Sequence, residues 1–144
     1  MFLLLSAMSS AALPAFPNAV YDQLKLRDGV ECAALGPATS ELKGALVALT
    51  DPDLMPASVP IRAAGCLVSL FPADAEVEAT VIAWMTDPER QGLALVALSR
   101  SDVLPEAAAA RIVAAGRASA ISRVAAAADQ LRETSVHPAV RALQ

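Results

Sequence analysis

The feature that most constrains this chain is an internal repeat. Glu41-Leu-Lys-Gly-Ala-Leu-Val-Ala-Leu-Thr-Asp-Pro-Asp53 is matched by Glu78-Ala-Thr-Val-Ile-Ala-Trp-Met-Thr-Asp-Pro-Glu89, and Thr50 falls on Thr86 at an offset of 36 residues. Each copy is an apolar segment that runs into Thr-Asp-Pro and an acid. A second pair follows. Arg62-Ala-Ala-Gly-Cys-Leu-Val-Ser-Leu70 aligns with Arg90-Gln-Gly-Leu-Ala-Leu-Val-Ala-Leu98 at an offset of 28, so the first unit carries about eight extra residues in its turn, 52–60. His137-Pro-Ala-Val-Arg-Ala-Leu143 echoes Val59-Pro-Ile-Arg-Ala-Ala64 and places Arg141 where Arg62 stands. Self-similarity at a period of this length is the signature of stacked units, each of which exposes an apolar face that its neighbour covers.

The residue types say what the units are made of. Apolar residues are 56% of the 144 and aromatics 3%, so the core is built from Ala, Leu, Val and Ile. Alanine is the best helix former because it loses no side-chain entropy on entering a helix. No alternating β-branched or aromatic run of useful length argues for strands. Asp51 and Asp87 are expected to cap the helix that follows them. Pro52 and Pro88 sit where the first helical turn tolerates proline. The spacing predicts helices over 19–27, 38–50, 59–71, 74–86, 88–100, 105–115, 119–133 and 138–144. The third unit, 105–133, has no Asp-Pro between its helices and shows Gly116, Arg117 and Ser119 there instead.

The order L-x-x-L, then D-P-D, then V-R-x-A-A-x-x-L resembles HEAT repeats, particularly the short type of phycobilisome-lyase-like and other bacterial HEAT-repeat proteins. The resemblance covers roughly 38–144. It implies an all-α solenoid, a superhelix of about three stacked antiparallel helix pairs. It also implies that Arg62, Arg90 and Arg141 tie helices to acidic groups in neighbouring turns, with Asp51 or Asp87 as candidate partners.

Residues 1–20 carry no charge. Phe2, Leu3, Leu4 and Leu5 open an apolar run, and small residues from Ser6 to Ala12 follow, as in a secretory signal. Pro14 and Pro17 read as a linker. The expected division is a signal peptide and linker over 1–17 and a helical repeat domain over 18–144. The run is too short to span a bilayer, which takes roughly 20 apolar residues. Export to the periplasm or medium is the favoured location, with the cytoplasm as the alternative. The only cysteines are Cys32 and Cys66. In an exported protein they can pair; in a reducing compartment they would be two small buried hydrophobes.

The net charge of −4 disfavours nucleic acid as partner, since phosphate binding needs a basic surface. The charge is uneven, with ten acids against Lys43 and Arg62 in 28–89 and seven arginines against four acids in 90–144. That asymmetry suits a solvated surface, a bipolar binding surface or association through the stack ends. Candidate chemistry is sparse. His137 is the only histidine, so any Ser-His-Asp or Cys-His site must use it, and its place before Pro138 reads as a turn. The glycines show neither dinucleotide nor phosphate-loop spacing. Asp74 and Glu78 share a helix face but read as a solvated helix N-terminus. Asp51 and Asp53 offer too few oxygens for calcium. Trp84 falls in the apolar stripe with Val81 and Met85, and Arg111, Arg117 and Arg123 in a solvated basic strip. No catalytic, cofactor or metal site is expected. The reading is a non-enzymatic scaffold or adaptor for a protein or peptide, with 59–71 and 88–100 lining its groove. A structural or truncated fragment of a longer HEAT-repeat protein, and a lyase-like or chaperone-like enzyme subunit, are the alternatives.

Overall fold

Helix caps and apolar stripes build the molecule from the sequence upward. In the computed structural model of the chain, residues 18–26, 29 and 31–144 are described, and among them there are eight helices and no strand. The leader expected over 1–17, with Phe2 and its apolar neighbours, lies outside the described residues. Helix α1 covers 18–24. It is followed by α2 (Ser40–Leu49), α3 (Ser58–Leu70), α4 (Ala75–Trp84), α5 (Gln91–Ser99), α6 (Glu106–Arg117), α7 (Ser122–Thr134) and α8 (Pro138–Arg141). Short 3-10 turns occupy Cys32–Leu35, Pro88–Arg90 and Ser101–Val103.

The local causes are legible. Thr39 caps α2, its Oγ1 accepting from the Leu42 N–H at 3.2 Å. Leu42, Ala45, Leu46 and Leu49 then bury one stripe at helical spacing. Asp74 caps α4, with Oδ1 accepting from the N–H of Glu76 at 2.9 Å and of Val77 at 3.1 Å. The helix expected over 88–100 is divided: Pro88 starts a 3-10 turn and the α-helix proper begins at Gln91. The helix expected from 119 begins at Ser122, because the Ser119 hydroxyl closes a turn by accepting from the Ile121 N–H at 3.0 Å.

Neighbouring helices pack as pairs, α2 with α3, α4 with α5 and α6 with α7. The second helices α3, α5 and α7 also touch in series, and so do the first helices α4, α6 and α8. One apolar cluster runs through all the pairs, from Val20 to Val140. Trp84 belongs to it, at 3% exposure. Helix α3 is the most enclosed element, with Ala63, Ala64, Gly65, Cys66, Leu67 and Val68 all buried. A helix packed on one side buries one stripe, so six consecutive buried positions mean cover on several sides. The cover comes from α2, α5 and the Cys32–Leu35 turn.

Three sequence expectations are corrected here. Asp51 does not cap the next helix. Its Oδ1 accepts from the Asp53 N–H at 2.9 Å, closing a local turn that contains Pro52, whereas α3 starts after Ala57 with no side-chain cap. The long turn separates the two. Arg141 is not the counterpart of Arg62: it lies in α8, which packs on α6 and α7 as a first helix does, whereas Arg62 lies in the second helix α3. The short motif around Pro138 matched in composition but was out of phase by half a unit. The expectation that 59–71 lines the partner groove is narrowed as well, because within α3 only Ile61 is exposed.

Candidate functional site

Side-chain hydrogen bonds between distant parts of the described chain share a separation. Lys43 to Asp74 spans 31 residues, Arg100 to Ser69 31, Arg111 to Glu78 33, Ser119 to the Met85 carbonyl 34, and His137 to the Ser101 carbonyl 36. Tyr21 to the Met55 carbonyl spans 34 and Arg62 to the Leu24 carbonyl 38. Arg117 to the Gln144 carbonyl, at 27, is the exception. Apart from that one, these bonds join residues 31 to 38 positions apart.

These contacts frame two grooves on the side of the first helices. The larger, about 360 Å³, lies between α2 and α4 and is lined by Lys43, Gly44 and Val47 on one wall and Glu76, Val77 and Thr80 on the other. The second, about 260 Å³, lies between α4 and α6, where Ala75 and Glu78 face Ala107, Ala108 and Arg111. Small residues keep both open: an added Cβ at Gly44 would meet nothing within 4 Å. A cation bridges each groove. Lys43 Nζ lies 3.0 Å from Asp74 Oδ2 and 3.5 Å from Glu76 Oε2. Arg111 donates to both oxygens of Glu78, at 3.0 and 2.8 Å. The N-terminal acids of α4 are thus held between a lysine on α2 and an arginine on α6.

The electrostatics follow from these bonds. The hydrogen bond to Asp74 raises the Lys43 ammonium above its ordinary value. The same bond, seconded by the Val77 N–H, holds the Asp74 carboxyl below the usual carboxylate range. Arg90 lowers Asp87 likewise, with help from the Glu89 N–H, and Glu78 raises Arg111.

The other sequence candidates fall as follows. Asp87 Oδ1 accepts from the Glu89 N–H at 3.0 Å, and Oδ2 pairs with Arg90, so Pro88 and Arg90 sit in one capped turn at the entry to α5. Arg62 donates to the Leu24 carbonyl at 2.6 Å and to the Leu26 carbonyl, so it secures the end of α1 rather than Asp51. Arg141 donates to the Ser135 carbonyl at 3.3 Å rather than to an acid. Cys32 and Cys66 are joined in a disulfide with their Cα atoms 5.2 Å apart. Of the basic strip, Arg111 is tied to Glu78, and Arg117 lies 3.5 Å from Asp129. Val96 and Ser99 leave α5 partly open, beside a shallow groove of about 130 Å³ that it forms with α7.

His137 contacts two serines, but not in catalytic order. Its Nε2 donates to the Ser101 carbonyl at 3.2 Å, and its backbone N–H to the Ser135 hydroxyl at 3.1 Å. The Ser101 hydroxyl is buried at 1% exposure and has no hydrogen-bond partner among the described residues. A nucleophile needs both a base and access to substrate, so this cluster reads as a clasp between adjacent turns. Sequence reasoning missed the cluster, and it missed the grooves, because the residues that form them are ordinary helix-face residues one unit apart. The signal available was the recurrence of charge at that spacing, Lys43 to Asp74 and Glu78 to Arg111. Among the described residues no group of His, Cys, Asp and Glu is arranged to hold a metal, and no helix is long and apolar enough to cross a membrane. No family model, curated protein or solved structure matches this chain.

Proposed function

We propose that this chain is a non-enzymatic scaffold, an α-solenoid of HEAT-like helix pairs that holds a protein or peptide partner along the grooves of its first helices. The observation that carries the reading is the similar separation of its long-range side-chain bonds, 31 to 38 residues with one exception, among them 31 for Lys43 to Asp74 and 33 for Arg111 to Glu78. A similar separation from bond to bond supports stacked units of about that length, which is how repeat proteins build one extended surface from many short contacts. The two grooves sit one unit apart on that surface. The enclosure of α3 favours the first helices over α3 as the partner surface. Export is part of the proposal: a disulfide of this kind persists in an oxidising compartment.

A photoreactive residue tests the surface in the producing cell. Placed at Thr80 in the larger groove it should yield one discrete cross-linked product, and placed at Ala126 on α7 it should not. A Val47→Arg substitution should remove the Thr80 product without lowering the thermal midpoint. No product from Thr80, or the same products from both positions, would count against the scaffold.

A further inference from the structure

The first unit is closed by a segment that is tied on differently from the rest. Helix α1 buries Val20 and Leu24, and the Cys32–Leu35 turn buries Leu35, all in the common core. Among the described residues, it is the one segment joined to the rest by a disulfide. It is also tied to α3 and to the turn before it by named bonds: Tyr21 to the Met55 carbonyl at 2.6 Å, Arg62 to the carbonyls of Leu24 and Leu26, and the Cys32–Cys66 disulfide itself. The two sulfurs differ in access. Cys66 is 3% exposed inside α3, whereas Cys32 is only partly buried, at the start of its turn.

We propose that the Cys32–Cys66 disulfide is a redox-operated latch that holds α1 and the Cys32–Leu35 turn as a cap over α3. Its reduction by a dithiol releases the cap while α4 to α8 stay folded. A thiolate of the dithiol attacks Cys32 Sγ, the accessible sulfur. The bond between the cysteines breaks and Cys66 leaves as a thiolate that takes up a proton. The second thiol of the reductant then attacks the mixed disulfide, closes its own disulfide and frees the Cys32 thiol. Two electrons pass to the protein and the dithiol is oxidised. The bond closes a loop across a sequence separation of 34 residues. Losing that constraint raises the population of the open cap on the order of 10²- to 10³-fold. The opened surface is the part of the enclosed helix α3 that the Cys32–Leu35 turn covers, next to Cys66. The cap itself carries Val20, Leu24 and Leu35 out of the core, so release exposes apolar surface and changes what the molecule can bind.

Amide hydrogen exchange followed by mass spectrometry tests this on the full chain. The oxidised protein is compared with the same protein in dithiothreitol and with a Cys32→Ser variant. The expected result is faster exchange in α1, the Cys32–Leu35 turn and α3, unchanged exchange in α6 and α7, and full recovery on reoxidation. Unchanged exchange in the cap after reduction would make the disulfide a passive tie. Loss of protection through α6 and α7 would make it a support of the whole fold. Two free thiols in the oxidised protein would remove the latch. Each of these outcomes overturns the proposal, and the reduced wild-type protein answers the question even if Cys32→Ser fails to fold.

Discussion

At the scale of single residues, the glycines show how a sequence letter acquires meaning from its surroundings. Gly44 and Gly116 both lie inside helices. A Cβ on Gly44 would point into open space, while one on Gly116 would stand 2.9 Å from the Ala128 Cβ and 3.3 Å from a Leu98 methyl. Glycine in a helix interior costs roughly 0.5–1 kcal/mol relative to alanine through backbone entropy. Gly44→Ala should therefore raise stability by about that amount. Gly116→Ala gains the same entropy but forces α6 away from α7, and overpacking of this kind costs about 1–3 kcal/mol. Urea unfolding of the two variants checks the contrast, and a stabilised Gly116→Ala would show that α6 and α7 do not pack this closely. The same scale explains Gly65, where an added Cβ would lie 3.1 Å from the Arg100 guanidinium. The missing side chain lets Arg100 cross α3 and donate to the Ser69 hydroxyl at 2.8 Å.

At the scale of elements, the turns use one device with different residues. A side-chain oxygen accepts from the N–H two residues on at Asp51, Asp74, Asp87, Ser119 and Ser135. Ser119 thus supplies in the third unit what Asp-Pro supplies in the second, and the turn is kept although the motif is gone. Where the acceptor is a carboxylate, the device depends on pH. Asp74 and Asp87 are held below the ordinary carboxylate value by Lys43 and Arg90. A group whose folded pKa is lowered contributes stability that is complete above its unfolded value, about 3.9, and is lost as pH falls through the folded value. The urea midpoint should therefore decline as pH is lowered from about 5 to about 2.5. The double substitution Asp74→Asn, Asp87→Asn should flatten that decline, and an undiminished slope would assign it to other carboxylates. The helix limits themselves were readable from caps and apolar spacing: 38–50 is found as Ser40–Leu49, 59–71 as Ser58–Leu70 and 105–115 as Glu106–Arg117. The elements that were not readable are the 3-10 turns at Cys32–Leu35 and Ser101–Val103. They are too short to show a period, and the core holds them in place through Leu35 and a buried Ser101.

At the scale of the whole molecule, the apolar residues form one cluster across every helix pair. Leu67, fully buried in α3, sits in it. Leu67→Ala should cost about 2–5 kcal/mol, the lost transfer energy plus the cavity left behind. Trp84, buried in α4 at 3% exposure, reports on the same core from a neighbouring pair. In the wild type and in Leu67→Ala, Trp84 fluorescence and far-UV circular dichroism should follow a single urea transition. Separate midpoints would show that the pairs unfold one by one and that the core is not a unit.

What the amino-acid order determined by itself is everything that depends on near neighbours. Alanine-rich composition and helical spacing settle the all-α class. Thr39 and Asp74 mark helix starts, and the offset between Thr50 and Thr86 marks a repeating unit. What only the tertiary structure decided is the phase and facing of the units. A short motif such as Pro138 to Arg141 reads the same in a first or a second helix, and only packing on α6 and α7 tells them apart. The enclosure of α3, the hold of Arg62 on the Leu24 carbonyl, and the opening of a groove between α2 and α4 are likewise set by groups distant in the chain. Burial and hydrogen bonding are satisfied by whichever partner the fold brings near, and chain order constrains that choice only weakly beyond a few residues.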